Sequence, residues 1–342
     1  MRNELQPYVR IVLGLVAVSA AWSARAAEGP NPAFKPTAQV KFVPAGTKLA
    51  PLWLEGEFTE GPAPAADGTL LFSDIGSRIM KYDPASKKVS VFREPSGKAN
   101  GLMFDPQGRL VACEGAGPGG ERRITITGPN GKVRTLADAY EGKRFNSPND
   151  LAVTTAGDVY FTDPRYVGGE PRDLDFEAVF LVKPDGKVSI ATREVEKPNG
   201  ILVAPDQKTV YVADHNSDPL GAHTLLAFDV AGDGKLVNKR LLFDFGPRKR
   251  GIDGMTMDRD GNIYATAGSG DEAGIYVFSP AGEQLAFLPT PGDPTNCVFG
   301  IGSQANTLYV TAAAPKDSKD PAKYGLYACE LPASGYHVFP LK

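Results

Sequence analysis

The stretch NDLAVTTAGDVYFTD, from Asn149 to Asp163, reads as a polar start, a short apolar run, a turn and a second apolar run. Valine, tyrosine, phenylalanine and threonine favour strands, and small or polar residues such as those around Ala156 favour tight turns. The stretch therefore predicts two short antiparallel strands joined by a hairpin turn.

The same pattern occurs six times along the chain at spacings of 40 to 54 residues, and in each copy the turn comes seven residues after the first residue. Most copies continue with two further β-rich runs, as in VFLVKPDGKVSIA from Val179. Four strands per unit at this period are typical of a propeller blade. The sequence therefore predicts an all-β fold, a six-bladed β-propeller of four-stranded antiparallel blades, as one domain over residues 40–342.

Both ends of this domain offer a segment that can close the ring of blades. The run TKLAPLWL, from Thr47 to Leu54, is the candidate that we expect to complete the last blade, and YHVFP, from Tyr336 to Pro340, is its rival. Residues 27–39 are rich in proline and small side chains, so we expect a flexible lead there.

The first 26 residues have the composition of a signal peptide. Arg2 and Arg10 precede an apolar run that is short for a membrane span, and Ala24 and Ala26 form an A-x-A cleavage pattern. We expect cleavage after Ala26 and a periplasmic or secreted protein that does not contact the membrane afterwards. An uncleaved signal anchor is the alternative.

Charge and cysteine content exclude some classes of protein. The chain has 37 basic and 40 acidic residues and a net charge of −3, which gives no electrostatic footprint for nucleic acid. Its three cysteines cannot all pair internally, and the strand assignment places Cys297 and Cys329 two strands apart in one sheet, beyond the reach of a disulfide. We expect Cys113, Cys297 and Cys329 to be buried thiols.

The predicted strand direction brings the first residue of every copy to one end of the central channel, here called the top. These six residues, the ring, all carry a side-chain oxygen: Glu60, Asn100, Asn149, Asn199, Asp253 and Asn296. The second strands end around the same mouth with Asp74, Glu114, Asp163, Asp214 and His215. A set of oxygen donors with two anions favours Ca²⁺, with Mg²⁺ or Mn²⁺ as alternatives, over zinc. The other interpretation is a wet channel that holds no ion.

The motifs TEGPAP with Glu60, KRFNSPND with Asn149, KPNG with Asn199 and GIDGM with Asp253 resemble those of the SMP-30/gluconolactonase/luciferin-regenerating family. The resemblance covers nearly the whole mature chain and implies a calcium-dependent six-bladed propeller, in a family that includes sugar lactonases and organophosphate hydrolases. It implies that Glu60, Asn149, Asn199 and Asp253 bind one divalent ion. It also implies that Arg144 and Glu114 hold a polyol substrate, although Arg144 lies five residues before Asn149 rather than two as in the animal branch.

The chemistry expected of such a site is hydrolysis of a sugar lactone, a small-molecule substrate. Asp253 is the first candidate for the general base and His215 the second, since the pKa of an unperturbed histidine suits proton transfer near neutrality. Asn100 and Asn296, the remaining ring members, are candidate substrate contacts. For His215, Glu114 and Asp163 a purely structural role is the alternative, and for Arg144 the alternative is a surface cation in a loop. A hydrolase of other esters or phosphotriesters, or a non-catalytic propeller that binds a ligand or protein around a structural ion, are the competing functions.

Overall fold

The computed structural model of the protein describes residues 31–315, 318–320 and 322–339, so the predicted signal peptide lies outside the described residues. One short helix, α1 (Gln39–Phe42), and a first strand, β1 (Ala50–Gly56), precede the repeats. The strands of the first three blades are β2 (Thr59–Pro64), β3 (Leu70–Asp74), β4 (Arg78–Asp83) and β5 (Lys88–Arg93); β6 (Ala99–Phe104), β7 (Leu110–Glu114), β8 (Arg123–Thr127) and β9 (Val133–Ala137); then, after a hairpin of β10 (Ala139–Tyr140) and β11 (Lys143–Arg144), β12 (Leu151–Val153), β13 (Val159–Thr162), β14 (Val179–Val182) and β15 (Val188–Thr192).

The other three blades follow the same plan. Two turns of 3-10 helix, Gly270–Glu272 and Gly302–Gln304, lie in their loops. Their strands are β16 (Pro198–Val203), β17 (Thr209–His215), β18 (His223–Val230) and β19 (Leu236–Asp244); β20 (Ile252–Met257), β21 (Ile263–Ala267), β22 (Gly274–Phe278) and β23 (Gln284–Pro289); and β24 (Pro294–Phe299), β25 (Thr307–Ala313) and β26 (Tyr324–Glu330).

These strands form six antiparallel four-stranded sheets, and each repeat supplies the first strand of one sheet. The first strands contact one another in succession, β2 with β6, β6 with β12, and so on, and β24 returns to contact β2. They therefore surround one axis, and the predicted six-bladed propeller is confirmed.

The hydrophobic core is a ring of six clusters, one between each pair of neighbouring blades. Phe161 and Phe180 of the third blade pack against Val111 and Ile124 of the second, and Phe72 of the first blade shares a cluster with Tyr309 of the sixth. Sheets that bury both faces in this way leave the strand ends and the loops as the polar surface, so functional residues are expected at the ends of the channel.

The segment ahead of the first repeat closes the ring. Strand β1 pairs antiparallel with β26 and becomes the outermost strand of the last blade, with Ala50 opposite Ala328. The closure expected from TKLAPLWL is confirmed, because β1 lies within this run and its immediate extension.

The described part of the predicted flexible lead, residues 31–39, is packed on the propeller instead. Phe34 is buried and meets the Tyr276 ring edge-on at 4.9 Å between centroids, and Asn31 Nδ2 donates to the Phe245 carbonyl at 2.9 Å. The backbone of Thr37 and Ala38 donates to the outer strand of the fifth blade. The reason is that this segment covers an edge strand whose hydrogen-bonding groups would otherwise face water.

The described residues of the C-terminal run YHVFP, Tyr336 to Phe339, enter no sheet and lie in the lower end of the channel. Val338 is 2% exposed, the Phe339 ring stacks on Phe104 at 5.8 Å, and the Tyr336 N–H donates to the Met257 carbonyl at 3.0 Å. A residual cavity of about 80 Å³ remains between this tail and the lower halves of the inner strands. The tail therefore plugs the channel from below.

Two further expectations concern the thiols and the membrane. Cys113, Cys297 and Cys329 are free and buried, as predicted. Burial raises the pKa of each thiol, so none of them is poised as a nucleophile. Within the described ranges, the chain contains no helix with the length and apolar character needed to cross a membrane.

Candidate active site

A cavity of about 470 Å³ opens at the top of the channel and is lined by residues from all six blades. Five of the six ring residues lie in its wall: Glu60, Asn100, Asn149, Asn199 and Asp253. The register of the repeats, which placed these residues at equivalent positions, therefore does bring them together in three dimensions.

The inner strands pack closely around the channel, which keeps the ring narrow. Glycine makes this possible, and it follows the ring residue in four of the six repeats. A Cβ atom on Gly254 would lie 2.1 Å from Asn296 Cγ, and one on Gly61, where φ is +44°, would lie 2.1 Å from the Asn100 carbonyl oxygen. Only glycine fits where two inner strands approach this closely.

The acidic side chains of the ring are buried and repel one another. Burial, and then the charges of Asp253 and Asp150, raise the pKa of Glu60 well above its usual value. Burial raises the pKa of Asp253, and burial together with the Asp253 charge raises the pKa of Asp150 to about 7. Three carboxyl groups around one axis need protons or a cation to offset their charge.

The donor chemistry fits a hard divalent cation. Glu60, Asn149, Asn199 and Asp253 line the same cavity and offer two carboxylates and two amide oxygens, which are Ca²⁺ ligands. Within residues 31–315, 318–320 and 322–339, no group of three or more histidine, cysteine or acidic side chains is placed to hold a metal. Any ion at the ring would therefore depend on the asparagine oxygens, a set that suits calcium better than zinc.

Asn296, a predicted substrate contact, faces downward. It lines the small lower cavity together with Asp150, and its Oδ1 accepts the Cys297 N–H at 2.8 Å. Its side chain also hydrogen-bonds Glu60 and Asp150, which lowers the pKa of each. Asn296 thus supports the carboxyl groups from below, whereas Thr295 takes its place in the upper wall.

Arg250 contributes a cation that sequence reasoning did not identify. Its Nη2 donates to Asp253 Oδ2 at 2.6 Å, and its Nη1 donates to the Gly268 carbonyl at 3.2 Å. This ion pair opposes the effect of burial on the Asp253 pKa. The pair holds the Asp253 carboxyl group on the side of the cavity that belongs to the fifth blade.

His215 also lines the cavity, next to Tyr166. Its Nδ1 lies 3.1 Å from the Ile252 carbonyl oxygen, so Nδ1 carries the proton and Nε2 carries the lone pair. Burial, then the charges of Arg250 and His223, lower the pKa of His215 to about 3. The imidazole is therefore neutral at physiological pH and a weaker base than the unperturbed value suggested.

Three carboxylates at the ends of second strands hold loops instead of facing the mouth. Asp163 Oδ1 and Oδ2 accept the backbone N–H groups of Ser147 and Asn146, both at 2.7 Å. Asp74 Oδ1 accepts the backbone N–H groups of residues 57 and 58, and the two oxygens of Asp214 accept those of residues 196 and 197. Each carboxylate anchors the loop that leads into a ring residue, so its role is to position that residue.

Replacing Asp163 by asparagine is expected to lower the free energy of unfolding by about 1–3 kcal/mol, because one buried N–H would then face an amide donor. Chemical denaturation of the two proteins measures the change. The exposed Asp175 gives the matched control, Asp175→Asn, which should leave stability unchanged. An Asp163→Asn variant as stable as the control would contradict the anchoring role.

Glu114 is the structural carboxylate that the sequence left as an alternative. It is 1% exposed, and its two oxygens accept from Arg93 Nη2 at 2.9 Å and Arg123 Nε at 2.7 Å. Thr125 donates a third hydrogen bond at 3.0 Å. With these partners, and outside the cavity wall, Glu114 is not placed to hold substrate.

Arg144 also lies outside the cavity. It belongs to the exposed β10–β11 hairpin, and its Nη2 donates to the Glu121 carbonyl at 2.5 Å. Glu121 lies in the loop between β7 and β8, so the Arg144 side chain is directed toward the rim of the second blade. Arg144 is therefore not brought together with the ring residues, and the substrate contact that the resemblance implied stays a prediction.

The structure adds Asp150, Tyr166, Arg250 and Lys98 to the candidates from sequence. One signal for Asp150 was present, because an acidic residue follows Asn149 where glycine follows most ring residues. The other three lie in loops whose course no repeat pattern fixes. Of these, Tyr166 donates to the His215 carbonyl at 2.7 Å and steadies that wall of the cavity.

Comparison with known proteins identifies the family of the chain. The family model described as the SMP-30/Gluconolactonase/LRE-like region matches residues 58–314, most of the chain. The protein belongs to this family. The resemblance inferred from the four motifs is thereby confirmed.

Individual relatives are similar over most of their length. A gluconolactonase from Zymomonas mobilis subsp. mobilis is 33% identical over 285 residues, covering 75% of this chain and 76% of the relative. A regucalcin from Xenopus laevis is 28% identical, covering 81% of this chain and 88% of the relative. Among solved structures, a gluconolactonase from Xanthomonas campestris superimposes with a TM-score of 0.73 at 29% identity, covering 87% and 94% of the two chains.

Proposed function

We propose that this protein is a metal-dependent lactonase that opens a sugar lactone and is exported by its first 26 residues. The observation that carries the proposal is the convergence of Glu60, Asn149, Asn199 and Asp253 on one cavity, in a chain whose relatives include gluconolactonases. Calcium is the ion that the donor set favours.

The reaction adds the oxygen of water to the lactone carbonyl carbon and breaks the bond from that carbon to the ring oxygen. The ring oxygen takes up a proton, and the product is a hydroxy acid. A divalent ion bound at the ring would polarise the carbonyl and stabilise negative charge on its oxygen. The remaining tasks, which are to bind the substrate, orient water and move a proton, fall to side chains of this chain.

Asp253 is the residue that we assign as general base. It lines the cavity and its carboxyl group is fixed by Arg250 Nη2 at 2.6 Å, so it would face water polarised by an ion bound at the ring. His215 keeps a lone pair on Nε2, but its low pKa makes it a poor proton acceptor. We therefore assign His215 to a hydrogen bond with water or with a substrate hydroxyl group.

Hydrolysis of a panel of aldonolactones by the mature protein tests the proposal. Activity should disappear after chelation, return with Ca²⁺ and return less fully or not at all with Zn²⁺, because the described lining of the cavity contains no cysteine and, besides the neutral His215, no histidine. Full activity in chelator would contradict the metal requirement. Failure with every lactone and every ion would favour another ester, a phosphotriester or a non-catalytic binding role.

A further inference from the structure

Two cationic side chains line the top cavity from opposite sides. Lys98 lies just before β6, the inner strand of the second blade, and Arg250 lies just before β20, the inner strand of the fifth blade. Blades two and five face each other across a ring of six, so the two cations are on opposite walls.

The two cations differ in whether their charge is already offset. Arg250 forms its ion pair with Asp253 at 2.6 Å. The Lys98 Nζ makes no ion pair and no hydrogen bond with any residue that the structure describes, although the residue is only partly exposed. An ammonium group at the wall of a cavity without a counter-charge favours an anion supplied by a ligand.

The backbone at Lys98 is also unusual. Its φ is 56°, in the left-handed region that non-glycine residues seldom occupy, and its carbonyl accepts the Gly115 N–H at 3.0 Å. Strained backbone of this kind is common at functional sites, and here it sets where the lysine side chain starts.

The balance of charge in the cavity points the same way. The lining carboxylates are Glu60, Asp253 and Asp293. These carboxylates belong to the first, fifth and sixth blades, and Arg250 already pairs with Asp253. Among the described residues, the wall of the second blade, opposite Asp253, therefore has the Lys98 cation and no lining carboxylate.

We propose that the cavity takes an anionic sugar lactone, with its carbonyl group toward Asp253 and its carboxylate or phosphate group bound by Lys98. Lys98 is in this view a specificity-determining residue. The inference rests on the proposed lactonase function and narrows it to a substrate class.

The test compares matched pairs of lactones that differ in one charged group, with Ca²⁺ present. D-glucaro-γ-lactone carries a carboxylate where D-glucono-γ-lactone has a hydroxymethyl group, and 6-phospho-D-glucono-δ-lactone is compared with D-glucono-δ-lactone. We expect a higher kcat/KM for the anionic member of at least one pair. The pair with the larger preference identifies a carboxylate or a phosphate as the group recognised.

Lys98→Gln should reduce kcat/KM for the preferred anionic lactone about tenfold and leave the neutral lactone within about twofold, as expected for the loss of one charged hydrogen bond. Lys98→Arg should retain the preference. Lys87→Gln is the matched control, because Lys87 is an exposed lysine with a φ of 55° outside the cavity. It should change neither substrate.

Hydrolysis without a preference for either anionic lactone would overturn this inference alone, and so would an equal loss on both substrates in Lys98→Gln. No hydrolysis of any lactone would overturn the lactonase proposal, and the inference with it.

Discussion

Asp253→Asn is expected to lower kcat by about a hundredfold to ten-thousandfold, the range for the loss of a general base. The substitution keeps the size of the side chain and an oxygen that can still contact an ion, but it removes the group that would accept the proton from water. Arg250 would lose its charged partner at 2.6 Å and keep its hydrogen bond to the Gly268 carbonyl. Steady-state hydrolysis of the best lactone, with ion binding measured separately by calorimetry, distinguishes lost chemistry from a lost ion.

The matched control for this experiment is Asp271→Asn, which changes an exposed carboxylate in the short turn Gly270–Glu272 of the same blade. It should behave as the unmodified protein. Full turnover by Asp253→Asn would exclude Asp253 as the base and would leave His215 as the remaining candidate.

Glu60→Gln is expected to weaken binding of the divalent ion by about a hundredfold or more, since even residues that only support metal ligands contribute tenfold to a hundredfold. Its effect on stability should have the opposite sign when no ion is present. Burial and the neighbouring carboxylates raise the pKa of Glu60, so its ionised form destabilises the ion-free fold at neutral pH. Removing that charge should raise the melting temperature in chelator and abolish most of the further rise that Ca²⁺ produces.

Thermal unfolding with chelator and with Ca²⁺ measures both effects. Glu57→Gln, at an exposed position three residues earlier, is the control and should keep the stabilisation by Ca²⁺. Equal stabilisation of Glu60→Gln and the control by the ion would place the ion elsewhere.

The repeat pattern predicted the propeller and most of the ring because both depend on register alone. Once each copy supplies the inner strand of a blade, Glu60, Asn149, Asn199 and Asp253 must meet at one end of the channel. The register fixes where a residue lies along its strand, but it does not predict which way the side chain of that residue points. Asn296 turns toward the lower cavity, where its Oδ1 accepts the Cys297 N–H, and Asp163 turns back to the backbone of the loop that precedes Asn149.

Loops were the other source of error. Arg144 was a candidate because its motif resembles that of the family, but the β10–β11 hairpin carries it outside the cavity wall. Lys98 and Arg250 were missed because their position depends on how two loops fold over the mouth, and a pattern of apolar residues contains no information on that. Glu114 could be recognised as structural only when Arg93 and Arg123 were seen beside it.

The tail that fills the lower end of the channel determines how substrate can enter the site and how product can leave it. With Val338 buried among the blades, the channel is not a passage from one face of the disc to the other. A substrate that enters from the top leaves, as product, through the same opening. Product and substrate must therefore exclude each other, and the hydroxy acid should act as a competitive inhibitor whose release precedes each new turnover.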